Sequence, residues 1–235
     1  MQNESETSSE SRMVCDPIVL NFHESLLRQS DIELLSGNYW LNDTLISFYY
    51  EYLERIYFKD YKNLLFVPPQ VTQCIKLCQV QNIEEIRIFL DPLDVDKRDF
   101  IFFALNDNDT SHAGGTHWSL VAFSRPENKI YHFDSSAGAN HNSAWELGTR
   151  LMGALGLSKL NGQFEESKCL QQTNGYDCGL HLLCNTENIA QFVIKNGLIE
   201  GHPLIQSCDQ KRREVLMLIH SLIQQGYVKN SDSCE

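Results

Sequence analysis

The stretch HWSLVAFSRPENKIYHFDS, residues 117–135, predicts two neighbouring β-strands. HWSLVAFS (117–124) and KIYHFDS (129–135) are short runs of aromatic, apolar and β-branched residues. RPEN (125–128) between them is rich in turn formers. The pattern therefore predicts an antiparallel hairpin and, around it, a sheet.

The register of this hairpin decides which polar side chains meet. If Ser124 pairs with Lys129 across the four-residue loop, then Asp134 lies opposite Ser119. His117 lies two residues before Ser119 and on the same face of the strand. Such diagonal neighbours lie about 7–8 Å apart, a distance that an imidazole and a carboxylate can bridge. The hairpin is therefore compatible with a His117–Asp134 pair.

Helical patterns precede and follow the strands along the chain. Apolar residues recur at helical spacing in several segments, and Pro92 ends one of them. The order of helices, then a mostly antiparallel sheet, then helices predicts an α+β domain with a central sheet flanked by helices. The predicted helices cover residues 43–57, 68–79, 82–94, 143–155, 177–193 and 213–225, and further strands cover 99–107 and part of 164–172.

Composition favours one globular domain that binds neither nucleic acid nor membrane. Of the 235 residues, 42% are hydrophobic and 21% charged, which is sufficient for one substantial core. The formal net charge is −12, whereas phosphate binding requires clustered Lys and Arg. The one tight basic run, KRR at 211–213, is interpreted as a solvated helix start. The sequence shows neither an apolar run of about 18 residues nor a signal-peptide pattern.

The two ends of the chain are expected to be disordered tails. Residues 1–13 are rich in Ser and Glu, and residues 229–235 are similarly polar, so neither can offset the entropy of ordering. The predicted folded domain is 14–228. The eight cysteines are scattered through a long chain with a well-stocked core, which favours reduced thiols and an intracellular location. We expect the protein in the cytoplasm and the nucleus.

Cys178 lies in surroundings that a reactive thiol requires. It is placed at the predicted start of a helix in QQTNGYDCGLHLLCN, where unpaired N–H groups favour a thiolate. Asn174, Gly175 and Asp177 predict a turn and a cap just upstream. Gly179 is expected to allow close backbone approach to the thiol. A core cysteine, as we expect Cys184 to be, requires only apolar neighbours.

The candidate roles follow from the chemistry of thiol catalysis. Cys178 attacks, His117 accepts its proton and later protonates the leaving amine, and Asp134 fixes the histidine tautomer. Gln172 can place an amide N–H in an oxyanion hole. Taken alone, Cys178 is better explained as a core cysteine, His117 is as often a satisfied strand histidine, and Asp134 is an ordinary turn former. Only their conjunction points to catalysis.

We expect no cofactor and no metal. Cys74 and Cys78 are spaced to share a helix face, which is compatible with a pair of zinc ligands. A second close ligand pair is missing from the sequence, so ordinary helix packing is favoured.

Three motifs, THWSL, YHFDS and QQTNGYDCG, occur in this order and resemble the ubiquitin-like-protein proteases. These adenain-like cysteine peptidases include the sentrin (SUMO) proteases. The resemblance covers roughly residues 14–225 and implies a papain-like cysteine protease fold with rearranged order. It also implies catalytic roles for His117, Asp134, Gln172 and Cys178.

The resemblance extends to a binding site for the modifier's tail. WLND matches the family at Trp40, and the motif after the catalytic histidine matches at Trp118. In the family these two tryptophans line a narrow tunnel for a Gly-Gly tail, which rejects any side chain. Packing in the core is the alternative role for both. Asp43 is expected to make the tunnel entrance acidic.

FALNDNDTSHAGGTHWSL and LLRQSDIELL resemble the deneddylase branch of the family. The loop 106–116 exceeds what the strand connection requires, and with a hinge at Gly114 and Gly115 it is interpreted as a mobile segment that grips substrate. Asp107 and Asp109 would add to the acidic entrance and favour a basic tail.

The sequence thus predicts a thiol protease that cleaves after the C-terminal Gly-Gly of the ubiquitin-like NEDD modifier. It would remove the modifier from lysines of targets such as cullins, process its precursor and act as a monomer. A SUMO-specific protease is the nearest alternative. An acyltransferase and an inactive modifier-binding module are further alternatives.

Overall fold

The computed structural model describes residues 15–80, 82–157 and 163–227. The predicted tails, 1–13 and 229–235, lie outside these ranges. The strands are β1 (Ile18–Phe22), β2 (Ser25–Arg28), β3 (Leu64–Val67), β4 (Phe100–Asn106), β5 (Trp118–Ser124), β6 (Lys129–Phe133) and β7 (Phe164–Ser167). The helices are α1 (Gln29–Glu33), α2 (Asp43–Tyr52), α3 (Pro69–Leu77), α4 (Ile83–Leu90), α5 (His141–Ala154), α6 (Cys178–Asn196) and α7 (Lys211–Gln224).

A five-stranded sheet in the order β3-β4-β5-β6-β7 forms the centre. The hairpin of β5 and β6 has the predicted register, with Ser124 opposite Lys129 and Leu120 opposite Phe133. Strands β4, β5 and β6 are antiparallel, whereas β3 and β7 add at the two edges in parallel. The α+β class is confirmed. The sheet is more mixed than the predicted mostly antiparallel one, because both edge strands arrive through helical crossovers.

Both faces of the sheet are covered by helices. Along β4, Phe102 and Ala104 belong to a core shared with α2, α6 and α7. Ile101 and Phe103 alternate with them and belong to a second core shared with α3, α4 and α5. Because successive side chains of a strand point to opposite faces, a strand buried on both sides is apolar throughout. The first core brings the start of α6 against the ends of β5 and β6.

The helix predictions agree well with the structure. The helix predicted over 43–57 is α2 continued by a π-helical turn, Leu53–Tyr57. Helix α4 ends at Leu90, just before Pro92, and continues as the short 3-10 turn Asp91–Leu93. Strands β1, β2 and β3 were not predicted from the sequence. They are four or five residues long, and short apolar runs give no clear period.

Six cysteines within the described ranges are free thiols: 74, 78, 169, 178, 184 and 208. Cys15 is disulfide-bonded, so the prediction of reduced thiols is wrong there. The Cys78 thiol donates to the carbonyl of Cys74 at 3.2 Å. Over the described part of the chain, no group of three His, Cys, Asp or Glu side chains could hold a metal. No helix in that part could cross a membrane.

Candidate active site

The β5–β6 hairpin brings His117 and Asp134 into contact. His117 Nε2 lies 2.6 Å from Asp134 Oδ1. The Asp134 side chain is 2% exposed and that of His117 is 11% exposed. The contact predicted from the register is therefore present. It occupies Nε2 and leaves Nδ1 of the imidazole for a thiol.

Asp134 is held as a carboxylate by three hydrogen bonds. Besides the imidazole, the backbone N–H groups of Ser136 and Asn140 donate to its two oxygens, each at 2.9 Å. Burial raises the pKa of Asp134, but the bonds from His117, Asn140 and Ser136 outweigh it and hold the pKa below its usual value. The charge that orients the imidazole is thus stable at neutral pH.

Asn140 is a buried residue of this site that the sequence did not indicate. It is 1% exposed, and its Nδ2 donates to Ser119 Oγ at 2.9 Å and to the His117 carbonyl at 3.4 Å. It thus contacts the backbone of the base while its own N–H binds Asp134. Its Oδ1 is buried without a hydrogen-bond partner among the described residues. An Asn just before a helix predicts an N-cap, but this side chain turns to the sheet instead.

Cys178 is the first residue of α6 and is 1% exposed. The turn before it forms as predicted, because Asn174 Oδ1 accepts the N–H groups of Tyr176 and Asp177 at 3.1 and 3.0 Å. Burial lowers the pKa of His117, but hydrogen bonds and charge interactions with Asp134 and Cys178 outweigh it and raise the pKa to about 9. The raised pKa suits His117 to accept a proton, which is the role predicted for it beside Cys178.

Three hydrogen bonds hold Gln172 in place. Its backbone N–H donates to the carbonyl of Ser135 at 2.8 Å, and its Oε1 accepts the Ser135 hydroxyl, also at 2.8 Å. Its Nε2 donates one hydrogen to the Asn174 carbonyl at 2.6 Å. An amide nitrogen carries two hydrogens, so the second can serve an oxyanion as predicted.

Comparisons with known proteins agree with this geometry. The sequence matches the Ulp1 protease family, C-terminal catalytic domain, over residues 39–202. The chain belongs to the Ulp1 protease family. Sentrin-specific protease 8 of Homo sapiens is 42% identical over 177 residues, which are 75% of this chain and 82% of that protein. NEDD8-specific protease 1 of Arabidopsis thaliana is 29% identical over 228 residues, which are 91% and 97% of the two chains.

A solved structure confirms the fold. The C-terminal Ulp1 protease domain in complex with SMT3, the yeast ortholog of SUMO, superposes with a TM-score of 0.67 at 21% identity, covering 89% of this chain and 90% of that one. The predicted fold class is thereby confirmed. The family match and the named relatives confirm the predicted class of enzyme, a cysteine peptidase. The likeness to sentrin-specific proteases and their deneddylase branch agrees with the named relatives.

The two predicted tunnel tryptophans occupy different environments in this Ulp1-family domain. Trp40 is 50% exposed, and its Nε1 donates to the Gly175 carbonyl at 2.6 Å. Trp118 is 8% exposed, and its Nε1 donates to the Leu41 carbonyl at 2.9 Å. Core packing therefore does not explain Trp40. Both indoles connect residues 40–41 to the catalytic elements, and their substrate role stays a prediction.

Gly179 serves a contact other than the predicted approach to the thiol. A Cβ at this position would lie 2.9 Å from Leu41 Cβ, closer than real side chains come. The missing side chain lets residues 40–41 lie against the start of α6. Asp43 is exposed at the start of α2, where Gln70 Nε2 donates to it at 3.3 Å. Its predicted contact with substrate also stays a prediction.

The loop 106–116 is anchored by hydrogen bonds at its two ends, and its predicted mobility stays a prediction. Asp107 accepts the N–H of Thr116 at 2.6 Å and that of His117 at 3.1 Å. These hydrogen bonds join the two ends of the loop. Gly115 has φ +88°, and a Cβ there would overlap Asn106 Oδ1. The geometry suits a fixed turn that presents His117. Gly114 has more room, with Asn108 the nearest side chain at 3.7 Å.

Lys76 of α3 also binds the loop 106–116. Its ammonium donates to the carbonyls of Asn106 and Asn108 at 2.7 and 2.8 Å, and it lies 3.2 Å from Asp109. Lys76 thus places one positive charge beside Asp109. The predicted acidic entrance stays a prediction.

Arg212 is a second residue that the sequence did not indicate. Its guanidinium donates to the carbonyls of Leu34 and Tyr39 at 2.6 and 2.9 Å and to Asp177 Oδ1 at 2.7 Å. The interpretation of KRR as a solvated helix start is wrong for Arg212 and for the buried Lys211. One arginine thus joins the residue before Trp40 to the residue before the nucleophile.

Proposed function

We propose that this protein is a deneddylase, a cysteine peptidase that cleaves after the C-terminal Gly-Gly of a NEDD8-type modifier. The observation that carries the proposal is the buried His117–Asp134 contact of 2.6 Å beside Cys178 at the start of α6. The relatives named Sentrin-specific protease 8 and NEDD8-specific protease support the choice of modifier.

The proposed reaction uses each residue at a stated atom. The Cys178 sulfur attacks the carbonyl carbon of the terminal glycine, and the oxyanion accepts hydrogen bonds from Gln172 Nε2 and the backbone N–H of Cys178. The carbon–nitrogen bond then breaks, and the His117 imidazolium gives its proton to the departing lysine amine. In the second half, His117 takes a proton from water, whose oxygen attacks the thioester and releases Cys178.

The geometry around Trp40 supports a requirement for glycine in the tail. The exposed indole of Trp40 donates a hydrogen bond to Gly175, which lies in the turn just before the nucleophile Cys178. A tail that threads between the indoles of Trp40 and Trp118, as the resemblance implies, must lack side chains there, and this requirement excludes most other peptides. Ubiquitin-like modifiers that end in Gly-Gly fit this requirement.

The proposal includes further points that rest on the resemblance. The substrates are the modifier's precursor and its lysine conjugates, such as those of cullins. The protein acts as a monomer in the cytoplasm and the nucleus.

The test is competitive labelling with modifiers that carry a C-terminal electrophile. NEDD8, SUMO and ubiquitin derivatives are mixed at equal concentration with the protein, and intact mass reports which one becomes attached. We expect labelling by the NEDD8 derivative first, and none in Cys178→Ala. Faster labelling by SUMO would overturn the modifier assignment but keep the protease. Absence of labelling by all three would favour an inactive binding module or an acyltransferase.

A further inference from the structure

Two cysteines that the catalytic mechanism does not use line one cavity between α6 and α7. Cys184 is on α6, and Cys208 is in the segment that leads from α6 into α7. Both are free thiols, and each is 7% exposed. Each is the first cause of the shift in the other's pKa, so the two side chains are neighbours. A disulfide has a sulfur–sulfur distance of about 2.05 Å, which neighbouring thiols can reach by movement of their side chains.

The surroundings give the two sulfur atoms different character. The hydrogen bond from Cys184, together with His181 and the charge of Lys211, outweighs burial and lowers the pKa of Cys208 to about 6. The hydrogen bond to Cys208 and burial raise the pKa of Cys184. The lowered pKa favours a thiolate at Cys208 over one at Cys184. A thiol that ionises readily, with a second thiol nearby, is the arrangement of an attacking and a resolving cysteine.

Lys211 supplies the positive charge at this pair and is itself held in place. Its ammonium lies 2.8 Å from both Glu187 and Glu214, and its backbone N–H donates to the Cys208 carbonyl at 3.0 Å. The side chain of Lys211 is 10% exposed. The cation is thus fixed by two carboxylates, one on α6 and one on α7.

Small molecules can reach the two sulfur atoms. Both cysteines line a cavity of about 390 Å³ between α6 and α7. Its other lining residues include Ser207, Gln210 and Glu214, which are exposed, so the cavity opens to solvent. A water molecule occupies about 30 Å³, and hydrogen peroxide is only slightly larger. The cavity is also polar, which suits such an oxidant.

We propose that Cys184 and Cys208 form a peroxide-reactive dithiol, a modification site separate from the catalytic Cys178. The Cys208 sulfur attacks one peroxide oxygen, the oxygen–oxygen bond breaks, and the departing hydroxide takes a proton to become water. The Cys184 sulfur then attacks the resulting sulfenic acid. The sulfur–oxygen bond breaks, and the second water leaves with the Cys184 proton. The two thiols supply the two electrons that reduce one peroxide to two waters.

The resulting disulfide would join α6 to the segment before α7. Its formation does not require the modifier or the catalytic thiol, so the proposal stands independently of the proposed function. It differs in this way from oxidation of Cys178, which would block the peptidase directly.

The test uses the full chain, reduced and then exposed to a small excess of hydrogen peroxide. We expect a loss of about 2 Da in intact mass and, after trypsin, a cross-link between the peptides 169–195 and 196–211. Peptide 169–195 also contains Cys169 and Cys178. Variants with one cysteine replaced by serine therefore identify which cysteine forms the cross-link. The cross-link should disappear in Cys184→Ser and Cys208→Ser and persist in Cys169→Ser and Cys178→Ser.

The order of the two steps gives a second measurement. In Cys184→Ser, a sulfenic-acid reagent such as dimedone should label Cys208, whereas in Cys208→Ser it should not label Cys184. A cross-link through Cys169 or Cys178, or oxidation of Cys178 with no cross-link in the wild type, would overturn the proposal. Preferential dimedone labelling of Cys184 would overturn the assigned roles.

Discussion

The two sides of the catalytic cleft are built in different ways. On the sheet side, His117 and Asp134 are placed by the pairing of two adjacent strands, and their contact follows from the register. On the helix side, the segment at Trp40 is joined to the turn before Cys178 by bonds between residues remote in sequence, from Trp40 to Gly175 and from Arg212 to Tyr39 and Asp177. The comparison teaches that local pairing can position a base, whereas the placement of the predicted tail-binding tryptophan against the nucleophile depends on long-range links. Substitutions on the two sides should therefore have different effects on kcat and KM.

The largest effect is expected from Asp134→Asn on the sheet side. The amide can still bond the imidazole but favours the wrong tautomer and cannot stabilise imidazolium, so kcat should fall about 10³- to 10⁴-fold. Steady-state cleavage of a modifier fused to a C-terminal reporter measures this, with circular dichroism as the control for folding. Activity equal to the wild type would mean that another group orients His117.

Gln172→Ala tests the helix side at the transition state. Loss of the amide donor should lower kcat about 10²- to 10³-fold with little change in KM, because the oxyanion exists only after attack. The same reporter assay separates the two constants. An effect confined to KM would indicate a structural role for the Ser135 and Asn174 bonds instead.

Asn140→Ala tests whether the sheet side needs more than register. Its loss leaves Ser119 and the His117 carbonyl without this donor, and kcat should fall about 10-fold, the value of one buried hydrogen bond. Asn188→Ala is the matched control, because Asn188 also donates to a backbone carbonyl, that of Pro203 at 2.8 Å, but far along α6. Equal losses in both variants would point to general destabilisation.

Arg212→Met tests the link between Trp40 and the nucleophile. Freed from Tyr39 and Asp177, the segment before Trp40 should loosen, and KM should rise several-fold with a smaller fall in kcat. Arg213→Met is the control, since Arg213 is the exposed neighbour on the same helix. A variant that changes kcat alone would show that Arg212 acts on Cys178 and not on tail binding.

The smallest expected effect is a dependence of stability on pH, which tests the interaction of His117 with Asp134 on the sheet side. Because the folded protein raises the pKa of His117 from 6.5 to about 9, the stability from its interactions is fully present below pH 6.5 and is lost as pH rises through 9. Thermal unfolding of wild type and Asp134→Asn across this window should show a gap in Tm that narrows with rising pH. A constant gap would contradict a protonated His117.

Several features were predictable because they depend on neighbours in sequence. The register of β5 and β6 follows from the short loop 125–128, and the turn before Cys178 follows from Asn174 accepting the N–H groups of Tyr176 and Asp177. The start of α6 at Cys178 is likewise a local property of this turn. His117, Asp134 and Cys178 lie at the ends of these locally determined elements, so their placement could be predicted as well.

The sequence by itself determined the α+β class, the hairpin register and the turn before Cys178, because contacts between residues close in sequence fix them. The catalytic roles of His117, Asp134, Gln172 and Cys178 stay predictions. Only the tertiary structure decided the roles of Asn140 and Arg212, the anchored loop 106–116, the parallel edge strands and the contact of Cys184 with Cys208. Each of these depends on a partner remote in sequence, often a backbone carbonyl that any residue could supply. Local patterns carry no record of such partners, so packing alone reveals them.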